Sequence, residues 1–287
     1  MGLLEGKVAI VSGAGGGLGR QHALLLAKEG AAVIVNDLGG DRAGGGKGTS
    51  MADEVVDEIK AAGGEAAACY DSVATVEGGQ AIVQKAVDTF EKADILVNNA
   101  GILRDKTLGK TEEADWDSVI AVHLKGTYCC ARPMFTHLKD RGSGGVIINT
   151  SSTSGLIGNF GQCNYGAAKA GIAGFTRCLA LEGKKYNIRV WGLVPVAVTR
   201  MTEDLPGLGQ MKDQMAPGLV SPAVLYMASD LSGDKTGKFL FAGGGRIAEL
   251  KIVASKGIKP GADITAQDIA NGEADIFMAD DPINLFG

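Results

Sequence analysis

The 287-residue sequence predicts an α/β fold: a doubly wound, parallel, seven-stranded sheet with helices on both faces and a C-terminal extension. Three observations carry that prediction. Short β-branched runs alternate with longer helical patterns across residues 1–245. A glycine cluster joins the first such run to the first helical pattern. The 44 glycines gather in tight loops with no triplet period, which excludes a collagen-like chain.

Val8–Val11 reads as the first strand, with a helix over Leu18–Glu29 behind it. Ala32–Val35 and Ala66–Tyr70 are the second and third strands, followed by helices over Met51–Ala62 (after the second) and Gly78–Phe90 (after the third). Ile95–Val97 makes the fourth strand, and a long helical region runs from Glu113 towards Leu138. Val146–Asn149 is the fifth strand, Tyr165–Gly183 a proline-free helix, and Ile188–Val194 the sixth strand. Ser221–Ser229 is expected to be helical, with Ser221 as N-cap and Pro222 at the first helical position. Lys238–Phe241 is the seventh strand. Beyond Arg246 the pattern changes: Leu250–Val253 is a candidate added strand and Thr265–Asn271 a short capped helix. Gly39–Gly48 is a flexible insert beside the second strand. With no repeat and no long linker, residues 1–245 are expected to form the core and 246–287 an extension of the same domain.

A net charge of −5 predicts no nucleic-acid partner. Cys69, Cys129, Cys130, Cys163 and Cys178 lack a paired CxxC spacing and read as reduced thiols of a cytoplasmic protein. No run approaches the roughly 20 apolar residues of a bilayer crossing, so no membrane span is expected. The N-terminus lacks a signal-peptide pattern, and the terminal Asn284-Leu285-Phe286-Gly287 does not match a peroxisomal Ser-Lys-Leu signal.

The first strand runs into Ser12-Gly13-Ala14-Gly15-Gly16-Gly17-Leu18-Gly19. Gly13 permits a sharp turn, Gly17 lets the backbone approach a pyrophosphate, and Gly19 lets helix and strand pack closely. Gly15 and Leu18 belong to the same cradle. The helix behind it turns its first amides and partial positive charge towards phosphate. This is a Rossmann-type dinucleotide site. Asp37 ends the second strand, where a carboxylate accepts hydrogen bonds from the ribose hydroxyls of NAD and repels the 2′-phosphate of NADP. Arg42 is the one nearby cation for that phosphate; a solvated turn aspartate is the alternative. Asp71 and Ser72 follow the third strand, where they serve either an adenine edge or a turn. Asn98-Asn99-Ala100-Gly101 follows the fourth strand, with Asn98, Ala100 and Gly101 expected beside the cofactor.

Tyr165 and Lys169 are four residues apart on one expected helix, so their side chains share a face. An ammonium beside a phenol favours phenolate and lowers its pKa from the usual value of about 10. Ser152 closes the fifth strand, where its hydroxyl is expected to hold a substrate oxygen near Tyr165. The pattern suits hydride-transfer chemistry, in which the cofactor takes the hydride and the protein moves the proton. A Tyr-x-x-x-Lys pair standing alone is also compatible with two surface residues.

In order and spacing, Gly13…Gly17-Leu18-Gly19, Asp71, Asn98-Asn99-Ala100-Gly101, Ser152, Tyr165-Gly166-Ala167-Ala168-Lys169 and Pro195 resemble the short-chain dehydrogenase/reductase family. The resemblance implies cofactor binding by the first set, substrate polarisation by Ser152, proton exchange by Tyr165, and a double hold on tyrosine and nicotinamide ribose by Lys169. It also implies a homodimer or homotetramer. Where the family commonly has a helix-bending asparagine that anchors a relay water, this chain has His123. A neutral imidazole both donates and accepts, so a relay and a structural histidine are both open. The usual Pro-Gly after the sixth strand is Pro195-Val196 here.

Val35-Asn36-Asp37-Leu38-Gly39-Gly40-Asp41, Lys47-Gly48, Gly101-Ile102-Leu103-Arg104-Asp105, Val122-His123-Leu124, Gly158-Asn159-Phe160-Gly161-Gln162 and Arg200-Met201-Thr202 resemble the dehydrogenase units of peroxisomal type-2 multifunctional enzymes. Such units imply an NAD-dependent (3R)-3-hydroxyacyl-CoA or 17β-hydroxysteroid dehydrogenase, here as a free-standing homologue. Thr199 is placed to reach the nicotinamide carboxamide or to serve a turn. Met201, Leu205, Leu208, Met211 and Met215 fit either a mobile apolar lid over an acyl-CoA or steroid alcohol, or core packing. Arg104, Lys106 and Lys110 are candidates for acyl-CoA phosphate. Two competing functions remain: a ketone or 3-oxoacyl reductase of the same family, and a catalytically silent nucleotide sensor. Survival of serine, tyrosine and lysine together favours an enzyme.

Overall fold

Strands that are apolar at successive positions suit a parallel sheet covered by helices on each side. The computed structural model describes residues 2–41, 43–46, 48–199 and 213–278. Its elements run β1 (Val8–Ser12), α1 (Gly17–Lys28), β2 (Ala32–Asn36), α2 (Ser50–Ala61), β3 (Ala66–Cys69), α3 (Val76–Phe90) and β4 (Ile95–Asn98). Then come α4 (Glu113–Ile120), α5 (Gly126–Arg141), β5 (Gly145–Thr150), α6 (Thr153–Leu156), α7 (Cys163–Gly183) and β6 (Ile188–Val196). The chain continues with α8 (Ser221–Ala228), β7 (Phe239–Gly243), β8 (Arg246–Leu250), α9 (Ala266–Asn271) and α10 (Glu273–Ile276).

The described strands form one sheet in the order β3-β2-β1-β4-β5-β6-β7-β8. Pairings from β3 through to β7 are parallel. Alternation along each strand divides the core in two. Ala9, Val11, Val33, Val35, Ile95, Val97, Val146 and Ile148 face the layer of α1, α2 and α8. Val8, Ile10, Ile34, Leu96, Ile147 and Val190 face the layer of α3, α5 and α7. Each such fully buried aliphatic side chain contributes about 1.5–3 kcal/mol through its removal from water. Strand order reverses between β1 and β4, so the loops after these two strands splay apart and open a crevice at their carboxyl ends.

The sheet has eight strands rather than seven, and the added strand begins four residues earlier than Leu250. Gly244 and Gly245 explain the difference: at φ 56° and 74° they form a two-residue turn that returns the chain directly alongside β7. Such a connection can only be antiparallel. A second difference lies at α8. Val220 holds the N-cap position and no side chain caps the helix, so Ser221 opens the first turn instead. The Ser221 hydroxyl is committed elsewhere, to His22 on α1 at 2.8 Å.

The expected long helix between Glu113 and Leu138 is interrupted. Ala121–Lys125 forms a π-helical turn between α4 and α5, with His123 at its centre. Residues Met1–Glu249 form one compact unit and Leu250–Gly287 a second. In the second, α9 starts from a capping box: Thr265 Oγ1 accepts from the Asp268 amide, and the Asp268 carboxylate accepts from the Thr265 amide.

Candidate active site

Gly13 takes φ 64°, in the region that favours glycine, and a Cβ there would come within 2.7 Å of Ala100 Cα. Gly19 is equally constrained by contact, since its Cβ would lie 2.1 Å from the Gly13 carbonyl oxygen. The strand, turn and helix therefore close on one another only with glycine at these positions. The turn is further clamped by two residues of the quoted motifs that were given no individual role. Ser12 Oγ accepts from the amides of Asn99 (3.0 Å) and Ala100 (3.1 Å). Asn99 Nδ2 donates to the carbonyls of Ser12 (3.0 Å) and Gly13 (3.2 Å). Both residues sit within or beside the motifs already singled out, but their roles depend on the approach of β1 to β4.

Gly16 is the N-cap of α1 and has no side chain to cap the first amides. That cradle fits a pyrophosphate: donors are aimed outward and no Cβ fills the space in front of them. Asp37 reaches across it. Its Oδ2 accepts from the Gly15 amide at 2.8 Å and its Oδ1 from the Gly39 amide at 2.7 Å, leaving a lone pair on each oxygen for a ribose hydroxyl. Leu18 packs on the α1-side core. Thr199 lies beside Gly17, its methyl 3.6 Å from where a Gly17 Cβ would stand, and Pro195 lies in β6 opposite Ala242.

Other expected cofactor residues also make hydrogen bonds within the protein. Asn98 Nδ2 donates to Asn149 Oδ1 at 2.9 Å, and Asn149 in turn donates to Thr176, so Asn98 braces the sheet. Ser72 Oγ accepts from the Ala74 amide at 3.2 Å, which is turn chemistry. The Asp71 carbonyl is held by Asn36 at 2.9 Å, and its carboxylate accepts from the Cys69 thiol at 3.4 Å. Arg104 and Lys106 are both paired with the buried Asp115, at 3.4 and 2.6 Å, so neither is an unencumbered phosphate ligand. Arg42, Met201, Leu205, Leu208 and Met211 lie outside the described residues. Met215 is buried at 5% exposure, which is the packing alternative for that residue.

Ser152, Tyr165, Lys169 and His123 come together. Lys169 Nζ stands 5.5 Å from the Tyr165 ring centroid, as the four-residue spacing on α7 requires. It also donates to the Thr150 carbonyl at 2.6 Å, which ties it to the end of β5. Ser152 follows that strand and caps α6, with Oγ accepting from the Ser154 amide at 3.1 Å. The hydroxyl hydrogen remains for Tyr165 or a substrate oxygen.

Two pKa shifts correct the simple picture of an ammonium that makes the phenol easy to ionise. Burial pushes Tyr165 up to about 12, against a lowering hydrogen bond from Ser152, and Asp105 raises it further. Burial also brings Lys169 down to about 7. Desolvation of the charged forms is the leading cause of both shifts.

His123 meets the Tyr165 ring edge-on, centroids 5.1 Å apart. Its Nε2 lies 2.8 Å from the Ile102 carbonyl and 3.1 Å from the Ile102 amide. Nδ1 is buried with no partner. Burial, with Lys169 second, lowers the imidazole to about 3, so the ring is neutral. Gly101 is required by this ring, because a Cβ there would lie 2.4 Å from His123 Cε1. The π turn persists with histidine where the resemblance leads one to expect asparagine.

A sequence model described as short chain dehydrogenase matches residues 7–207, the span holding the glycine cradle and the Ser-Tyr-Lys cluster. The chain belongs to the short-chain dehydrogenase family. It is an oxidoreductase acting on CH–OH groups. A putative short-chain type dehydrogenase/reductase of Mycobacterium tuberculosis is 46% identical over 274 residues, covering 95% of this chain and 94% of that one. The peroxisomal multifunctional enzyme type 2 of Mus musculus is 47% identical over 248 residues, 86% of this chain but 33% of that protein. The chain thus spans a third of that relative. A crystal structure of a short chain dehydrogenase from Mycobacterium avium superposes with TM-score 0.85 at 43% identity, covering 96% of this chain and 98% of that one. Among the described residues no helix is long and apolar enough to cross a membrane.

Proposed function

We propose that this short-chain dehydrogenase uses NAD to oxidise a secondary alcohol, most specifically a (3R)-3-hydroxyacyl-CoA or a 17β-hydroxysteroid. One observation carries the reaction class: Ser152, Tyr165, Lys169 and His123 converge, and the Ala100-Gly101 segment that packs on His123 also packs on Gly13 of the glycine cradle. The choice of NAD is supported by Asp37, whose carboxylate spans the cradle where a 2′-phosphate would be repelled. The acyl-CoA reading is supported by the similarity to peroxisomal multifunctional enzymes type 2.

When bound, the oxidised nicotinamide supplies the hydride acceptor and a positive charge next to the phenol. Gly13, Gly15, Gly17, Leu18 and Gly19 would hold its phosphates, and Asp37 a ribose. Ser152 Oγ donates to the substrate oxygen and orients it. Tyr165 takes the hydroxyl proton as the carbinol carbon gives up its hydride, so the products are ketone and reduced cofactor. Lys169, held by the Thr150 carbonyl and 5.5 Å from the phenol ring, would hold the nicotinamide ribose and, when protonated, favour the phenolate. His123 presents an open Nδ1 by which the proton can pass onward. The reverse direction, reduction of a 3-oxoacyl thioester, uses the same groups.

A panel of 3-hydroxyacyl-CoA thioesters and steroid alcohols with NAD and NADP, read as absorbance of the reduced cofactor, tests this function. Turnover of a panel member with NAD is the expected result. Tight NAD binding with no turnover anywhere in the panel would leave a nucleotide sensor. Assembly as a homodimer or homotetramer belongs to the same proposal and is checked by light scattering.

A further inference from the structure

The segment after β4 is tied to the start of α7 by three separate contacts. Gln162 Nε2 donates to Asp105 Oδ2 at 2.7 Å. Asn164 Nδ2 donates to the Arg104 carbonyl at 3.0 Å, and Lys106 forms a β-bridge with Gln162. The Gln162 amide has only one workable orientation. Its Oε1 accepts from Ser154 Oγ (2.7 Å) and Asn159 Nδ2 (3.0 Å), while its NH₂ faces a carboxylate. Gln162 is buried at 8% exposure and lies three residues before Tyr165. Ser154 passes the constraint on, its amide donating to Ser152 Oγ at 3.1 Å. An unbroken line of polar contacts therefore runs Asp105–Gln162–Ser154–Ser152, from the outer loop to the hydroxyl beside the phenol.

We propose that Asp105 is a positioning residue: acting through Gln162 and Ser154, it fixes where the Ser152 hydroxyl stands relative to Tyr165. This rests on the reading of Tyr165 as the acid/base. Among the described residues Lys169 from α7, the neutral His123 from the π turn and the Ser152 hydroxyl face the phenol, and Asp105 acts on it through its charge alone. Asp105 is the one negative charge of the set, and it opposes ionisation of Tyr165. The carboxylate thus has two effects, one on geometry and one on the pH at which the phenol works. Being exposed, it acts through water, so its electrostatic effect weakens with salt.

Asp105→Asn keeps an acceptor for Gln162 and removes the charge. Its acid limb of kcat against pH moves down by about half a unit, and the move shrinks at high ionic strength. Gln162→Glu sets two carboxylates against each other; kcat falls about tenfold or more with KM for dinucleotide little changed. The double variant Asp105→Asn/Gln162→Glu restores a donor facing an acceptor and recovers most of that loss. An ultraviolet difference titration of the phenol, with Tyr165→Phe subtracted, reads the same charge effect without turnover. A wild-type protein that turns over no alcohol would remove the acid/base reading, and the titration would still judge Asp105. Superimposable titrations and pH profiles for Asp105→Asn, or wild-type kcat in a folded Gln162→Glu, overturn the proposal. If Gln162→Glu does not fold, Asp105→Ala, which takes away the oxygen that Gln162 donates to, decides instead: unchanged kcat overturns the proposal.

Discussion

His22 on α1 and Ser221 at the start of α8 meet through Nδ1 and Oγ at 2.8 Å, both side chains sealed from water. The pair joins α1, which begins at the glycine cradle, to α8. His22 Nε2 has no partner among the described residues, so the contact to the serine is the hydrogen bond that satisfies the ring. Ser221→Ala should therefore leave a buried imidazole unsatisfied and cost about 1–3 kcal/mol in a urea unfolding titration. A loss under about 0.3 kcal/mol would show that the contact adds nothing.

Acid should unfold the protein through its two buried imidazoles. His22 and His123 are each lowered by burial from 6.5 to about 3. Between those values the unfolded chain binds a proton at each site and the folded chain does not, so stability falls as pH drops from 6.5 towards 3. The contribution is complete above 6.5. Thermal midpoints measured across this window should decline steadily, and His22→Gln should flatten part of the slope.

Tyr165→Phe removes the proton acceptor and keeps the ring that His123 packs against. Turnover should drop by about a thousandfold or more while dinucleotide binding persists by calorimetry. Retained turnover would refute the mechanism.

Replacing Asp37 by serine should cut the preference for NAD over NADP by about tenfold or more, because the repulsion of a 2′-phosphate is lost. The ratio of kcat/KM for the two cofactors checks this. An unchanged ratio would move cofactor selection to another residue.

Gly101→Ala is the sharpest steric test. The new methyl would stand 2.4 Å from His123 Cε1, forcing the ring off Ile102 or the loop away from the ring. Overpacking of this kind costs about 1–3 kcal/mol, and turnover should fall with it. A Gly101→Ala/His123→Asn pair should recover part of both, read by melting and by kcat.

Strands, the glycine turn and the Tyr165–Lys169 pair were legible in the sequence because each is set by short-range periodicity or spacing. Asn99 and Ser12 were harder to read, since their clamp exists only where β1 and β4 lie side by side. The ion pairs that occupy Arg104 and Lys106 needed Asp115, whose burial no local pattern announces. Ser221 looked like a helix cap because its true partner, His22, lies 199 residues away. Burial also set the direction of the Tyr165 and Lys169 shifts, and no spacing rule states how deeply a pair is enclosed.

The bare start of α1 has a consequence for the protein's lifetime. Helix-end amides left to water make a weak point, and an anion seated there closes it. Ligand at about a hundred times its dissociation constant would raise the free energy of unfolding by about 2.7 kcal/mol. Proteolytic survival should accordingly track the supply of coenzyme, with starved molecules the first to be degraded.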